Sequence, residues 1–172
     1  MTSTLRLPLT LIPHSMWEIN VRTALPDRWD EIRHEVYRRA GRCEACGSGN
    51  GGRAWQAHEF WSYAGDRQVL THIACLCDEC HAATHLGRTR NFSGSDQAAR
   101  EALQHLANLN GLTLQQAAEY ARRELELTAE RSKRQLTLEL SLLEREFGIE
   151  VPPGLGGRSR GGLLRRLLGA VL

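Results

Sequence analysis

The sequence predicts an α+β protein: a zinc-stapled ββα unit between an N-terminal extended arm with a helix and a C-terminal helical region. Three observations carry this expectation. Cys43-x-x-Cys46 and Cys77-x-x-Cys80 are two pairs about thirty residues apart, a spacing that brings four thiolates to one tetrahedral zinc. Between them, residues 54–61 and 69–75 alternate like two strands around the turn residues of Tyr63–Arg67. Beyond the second pair the apolar spacing becomes helical.

Composition sets the outer bounds. A chain of 172 residues fits one domain, or one core with appendages, and 24% charged with 41% apolar residues is ordinary for a globular protein. The formal net charge of +2 argues only weakly for a nucleic-acid partner. Every cationic residue except Lys133 is arginine. Arginine suits bidentate phosphate contacts, but a GC-rich genome produces the same bias. Met1–Thr10 lacks the pattern of a signal peptide, and no apolar run approaches the roughly 20 residues that span a bilayer. A cytoplasmic protein is therefore expected, with reduced thiols and Cys-x-x-Cys pairs that bind metal rather than form disulfides.

The arm comes first. Residues 5–26 read as extended, because leucines alternate along Leu5–Leu11 and Pro8, Pro13 and Pro26 exclude a long helix. Trp17–Arg22 is polar and aromatic, suited to packing on the domain or to touching a ligand. Asp27 is a good N-cap, and Trp29, Ile32 and Val36 recur at helical spacing, so a helix is expected over residues 28–40. Its other face carries Arg28, Arg33, Arg38 and Arg39, either as a solvated face or as a phosphate contact. Gly41 suits the C-cap.

The first cysteine pair ends in Gly47, which permits a tight turn with positive φ. After the hairpin, Cys77 should open a helix running to about Leu86, with His81 and His85 one turn apart on one face. Asn91–Ser95 reads as a break. A helix over residues 96–109 should bury Leu103, Leu106 and Ala107 and close at Asn110-Gly111. Thr113 and Gln116 fit a capping box, followed by a long helix from Leu114 to about Lys133. Leu136–Phe147 is a final helical or extended segment carrying Leu138, Leu142 and Leu143. Pro152–Gly162 has linker composition, and Leu163–Leu172 is a short amphipathic tail for docking on a protein or a membrane surface. The organisation is thus 1–42 arm and helix, 43–90 zinc-bearing unit, 91–150 helical region, and 151–172 linker and tail.

Cys43, Cys46, Cys77 and Cys80 form a closed structural zinc site with no position open to substrate. Cys75 is left over as a core residue of the second strand. His58, His72, His81 and His85 surround this unit, whereas His14, His34 and His105 have no such context.

At these residues the chain resembles the HNH endonucleases, whose active site is a ββα-metal (His-Me finger) unit, and in particular their cysteine-containing type. The matching elements are Cys43–Cys46, Ala57-His58-Glu59, Leu76-Cys77-Asp-Glu-Cys80-His81, and His85. A longer similarity, to a group of bacterial HNH-like proteins, adds Trp17, Asn20, Arg22, Trp29, Asp30, Arg33, Trp61 and Tyr63.

The resemblance implies metal-dependent hydrolysis of phosphodiester bonds in nucleic acid, DNA before RNA, in addition to the structural Zn²⁺. A divalent ion such as Mg²⁺, Mn²⁺ or Ni²⁺ would be held by His58, His81 and His85, with His58, Glu59, His72, His81 and His85 as the catalytic set. His81 falls at the last signature histidine and His85 at the further ligand. His72 stands where the family usually has asparagine. The family's first signature site is Asp-His or His-His, and here it is Ala57-His58-Glu59. In one register His58 is the general base. In the other His58 is the ligand and Glu59 the base, which gives a three-histidine site with open positions and is favoured. The alternative is a non-catalytic adaptor that keeps the fold to hold nucleic acid or protein. Oligomeric state is not encoded in any pattern here.

Overall fold

A computed structural model describes residues 5–86 and 96–152. Within them the chain is mixed α+β, with six helices and a three-stranded sheet. The break at Asn91–Ser95, most of the linker and the leucine-arginine tail lie outside the described residues.

The order is a 3-10 turn at His14–Met16, α1 (Val21–Ala24), α2 (Pro26–Ala40), β1 (Gln56–Ala64), β2 (Arg67–Leu76), α3 (Asp78–Thr84), α4 (Asp96–Asn110), α5 (Leu114–Ser132), β3 (Thr137–Glu139) and α6 (Ser141–Phe147). The sheet order is β1-β2-β3. A two-residue connection, Gly65-Asp66 with Gly65 at φ 57°, makes β1 and β2 an antiparallel hairpin. β3 lies parallel to β2, with Gln68 opposite Leu138.

The chain divides into two compact units. One comprises Met1–Leu11, Val36–His58 and Ala74–Leu127. Leu7, Leu76, Cys80, Ala83, Leu106 and Ala117 are buried there, and α3 packs on α4. The arm is fastened by side chains. Asn110 accepts from the Leu7 N–H at 3.0 Å and donates to the Leu7 carbonyl at 2.9 Å, and the Tyr120 hydroxyl accepts from the Leu9 N–H at 3.0 Å. The other unit comprises Ile12–Glu35, Glu59–Ile73 and Thr128–Leu172, and buries Met16, Ile32, Leu70, Leu136, Leu143 and Ile149.

Several local expectations change. The arm is not extended throughout: Asn20 caps α1, accepting from the Thr23 N–H at 2.9 Å while Thr23 Oγ1 accepts from the Asn20 N–H at 3.0 Å. That reciprocal box forms in a stretch free of proline, so the prolines that forbid a long helix leave room for a single turn. α2 starts at Pro26 rather than after Asp27, because proline's missing N–H costs nothing at the first helical position. Its outer face is laced by Arg28–Glu31 and Arg33–Asp30 pairs at 2.8 and 2.7 Å. Both strands run longer than their alternation suggested. α3 is shorter at both ends, with Cys77 as its N-cap and His85 at its C-cap.

The C-terminal region is not purely helical, since β3 lies between α5 and α6. Leu136, Leu138 and Leu140 are all buried, which is the period of two expected of a strand with one face inward. Other expectations stand. Gly41 takes φ 63° after α2, and Thr113 and Gln116 form the capping box with bonds of 2.8 and 3.2 Å. Leu106 and Ala107 are buried on α4, and Cys75 is buried on β2. Among the described residues no helix is long and apolar enough to cross a membrane.

Candidate metal centre

Among the described residues, two clusters with the chemistry of metal ligands lie in the first unit. Cys43, Cys46, Cys77 and Cys80 bring their sulfurs within 4.8 Å of one another. The knuckle turn that presents the first pair is closed by the Gly47 N–H donating to the Cys43 carbonyl at 2.8 Å, with Gly47 at φ 78°. Glu44 ties that turn to β2: its N–H donates to the Cys75 carbonyl at 2.9 Å, and its carboxylate accepts from the Cys75 N–H at 2.7 Å. The second pair sits at the start of α3.

These residues fit a tetrahedral ion. A Zn–S bond of about 2.3 Å implies a sulfur–sulfur edge of about 3.8 Å, and Cys46 Sγ lies 3.8 Å from Cys77 Sγ. Burial, aided by the neighbouring thiols, pushes Cys80 up strongly and Cys77 up to about 11. Burial also opposes ionisation of Cys46, but hydrogen bonds from Ser48, Cys43 and Cys80 together outweigh it and bring that thiol down to about 7. A dication offsets the burial that keeps such thiols protonated. The four cysteines can therefore hold a metal ion such as zinc.

One residue given no role by its sequence context now has one. His105, on α4, places Nε2 3.2 Å from Cys80 Sγ. With a metal held by the cysteines, the Cys80 thiolate would accept the imidazole N–H, the type of outer contact that steadies a ligand. His105→Phe is expected to weaken zinc binding roughly 10–100-fold, measured by competition with a chromophoric chelator. An unchanged affinity would remove His105 from the site. Only long-range packing of α3 on α4 makes this contact, so no local motif announces it.

The second cluster is His58, His81 and His85, whose ring nitrogens also lie within 4.8 Å of one another. β1 supplies His58 and α3 supplies the others, with the His85 N–H donating to the His81 carbonyl at 3.2 Å. The ring centroids are 5.3 Å (His58–His81), 4.6 Å (His58–His85) and 4.7 Å (His81–His85) apart, all edge to face. His58 is 2% exposed. Burial, then the charges His85 and His81 would carry, hold His58 well below the usual imidazole range. It is thus neutral at pH 7, the form that binds metal. Among the described residues the cluster has three imidazoles and no fourth protein ligand, the donor set of an open site.

Against His58 lies a pair of buried hydroxyls that the sequence did not disclose. His58 Nε2 is 2.8 Å from Thr10 Oγ1, and Thr84 Oγ1 is 3.2 Å from Thr10 Oγ1 and 2.8 Å from the Pro8 carbonyl oxygen. The Thr10 N–H also donates to the Thr84 carbonyl at 3.0 Å. Thr10 and Thr84 are buried. Threonine hydroxyls carry no sequence signature, and their meeting depends on the arm crossing α3.

Glu59 and His72 are not in either cluster. The Glu59 carboxylate accepts from the Val21 N–H at 2.9 Å, and also from Arg22. Burial pushes it up to about 7, against the lowering effect of those N–H groups and of Trp61. His72 is exposed on β2 and stacks on Phe60, with centroids 6.4 Å apart and planes 7° apart.

Comparison of the chain with protein-family models, curated proteins and solved structures returns no match.

Proposed function

We propose that this protein is a metal-dependent phosphodiesterase of the HNH endonuclease type, cleaving nucleic acid, DNA in preference to RNA. One observation carries the reading: a strand histidine, His58, converges with His81 and His85 of the following helix beside a separate four-cysteine cluster. That convergence favours the register in which His58 is a ligand.

The chain's part is chiefly placement. His58, His81 and His85 would hold a divalent ion through neutral imidazoles. A divalent ion held there supplies Lewis acidity to the scissile phosphate and stabilises charge on the leaving oxygen. The hairpin fixes one ring, α3 fixes two, and the cysteine site fixes the start of α3. The near-neutral chain binds DNA weakly and with salt sensitivity.

A second reading has its own support. The Glu59 carboxylate is engaged by backbone N–H groups near the start of α1, and among the described residues no carboxylate joins the histidine cluster. A site without a carboxylate base suits a non-catalytic adaptor for nucleic acid or protein. Nicking of supercoiled plasmid by the zinc-loaded protein with Mg²⁺, Mn²⁺ or Ni²⁺ separates the two. Metal-dependent nicking is the expected result. Intact plasmid and intact RNA across all three metals would leave the adaptor.

A further inference from the structure

We propose that the edge of the cysteine cluster formed by Cys46 and Cys77 is a site of oxidative modification, at which hydrogen peroxide converts two zinc-bound thiolates into a disulfide and so releases the zinc. The four cysteines are not equally enclosed. Cys43 and Cys80 are 1% and 0% exposed, whereas Cys46 and Cys77 are only partly buried. The two partly buried cysteines come from different pairs, and their sulfurs are 3.8 Å apart. Cys46 Sγ also meets Ser48 Oγ at 3.0 Å, a contact exposed to solvent. Cys77 lines a cleft of about 260 Å³ whose other walls include Ser48, Arg53, Trp55, Asp78 and Glu79. Hydrogen peroxide is little larger than water, which takes about 30 Å³ in the liquid, so the cleft admits it.

Thiolate is the form of cysteine that peroxide oxidises, and a zinc site keeps all four sulfurs in that form. Access therefore decides which of them reacts. One of the two accessible sulfurs attacks peroxide: an S–O bond forms, the O–O bond breaks, and hydroxide leaves. The other attacks the resulting sulfenic acid, forming the S–S bond and expelling a second hydroxide. Two electrons pass from the sulfurs to peroxide, two protons from solvent turn the hydroxides into water, and only two of the four ligands remain for zinc. A disulfide is about 2.05 Å long, so sulfurs 3.8 Å apart close by about 1.8 Å. Cys80 is the competing partner for Cys77, since both stand at the start of α3. Its sulfur is enclosed and already meets His105 Nε2 at 3.2 Å, which leaves Cys46 the more accessible nucleophile. A Cys46–Cys77 bond joins the knuckle turn to the start of α3, as zinc does, so the two segments stay together in the oxidised protein and the change is reversible. This assignment depends on the four cysteines holding zinc and not on the phosphodiesterase reading.

The test uses zinc-loaded wild type, its metal content fixed by elemental analysis, treated with one equivalent of hydrogen peroxide beside an untreated control. Zinc release is followed with a chromophoric chelator, and the remaining thiols are alkylated for mass spectrometry. Cleavage after Glu44 and Glu79 separates Cys46 from Cys43 and Cys77 from Cys80, and fragment ions separate Cys77 from Cys75. The expected result is one zinc ion released for each disulfide formed, with Cys46–Cys77 the main disulfide and Cys43 and Cys80 alkylated. Dithiothreitol followed by zinc should return the starting metal content. Any other main product, whether a disulfide within either pair, a disulfide through Cys75 or over-oxidised single thiols, would overturn the proposal, as would zinc retained under excess peroxide. Protein that binds no zinc before peroxide is added would remove the zinc reading and the proposal with it. Plasmid nicking is read separately, and its absence changes neither outcome.

Discussion

Removing zinc, or replacing Cys80 with serine, is expected to collapse the cooperative melting of the unit formed by the arm, the knuckle and α3–α5. Cys80 is fully buried at the start of α3, bonded to His105, and surrounded by three other sulfurs. Serine there removes a soft ligand and leaves a buried hydroxyl where a thiolate stood. Metal binding to structural four-ligand sites is worth about 10–16 kcal/mol in peptides, comparable to the whole stability of a typical domain. This unit also has an apolar core around Leu106 and Ala107, so part of its structure does not depend on the ion. A net loss of about 5 kcal/mol would lower the melting temperature of a unit this size by roughly 20–40 °C. Thermal melts followed by circular dichroism, with and without a strong chelator, measure it. A zinc-free protein that melts at the zinc-loaded temperature would contradict the assignment.

The second large effect is expected from His81→Ala. The substitution removes one of three rings from the histidine cluster and leaves the four sulfurs untouched. Alanine is at least as good a helix former as histidine, so α3 should persist. Cation binding at the histidines should fall below detection at millimolar metal, and nicking should drop by roughly three orders of magnitude, the scale set by losing several kcal/mol of transition-state stabilisation. Zinc content should not change. Glu59→Gln provides the contrast: its carboxylate serves the start of α1, so cation affinity should be retained while stability falls. Equal nicking by His81→Ala and wild type would place the chemistry elsewhere.

The sequence made visible those features that repeat locally or carry scarce residue types. Four cysteines in two pairs have few explanations, and two histidines one helical turn apart stay together wherever the helix goes. The Thr113–Gln116 box and Gly41 were legible because a helix end demands specific partners within three or four residues. What stayed hidden depends on contacts between distant segments. Thr10 and Thr84 are separated by most of the first unit, and a threonine hydroxyl fits countless environments. His105 meets Cys80 only because α4 lies against α3. β3 is three residues long, too short to establish its period without a partner, and that partner is the start of β2. The neighbouring rings that support reading His58 as a ligand likewise come together only in the fold. Position along β1 alone does not distinguish a ligand from a base.

Metal titration of zinc-saturated protein tests the central claim most directly, because the account requires two ions at two sets of ligands. Isothermal titration with Mn²⁺ or Ni²⁺, paired with elemental analysis, should find a second ion bound per chain. That ion should be lost separately in His58→Ala, His81→Ala and His85→Ala while zinc is retained in each. Absence of a second ion in folded, zinc-loaded wild type, or a second ion that survives all three substitutions, would contradict it.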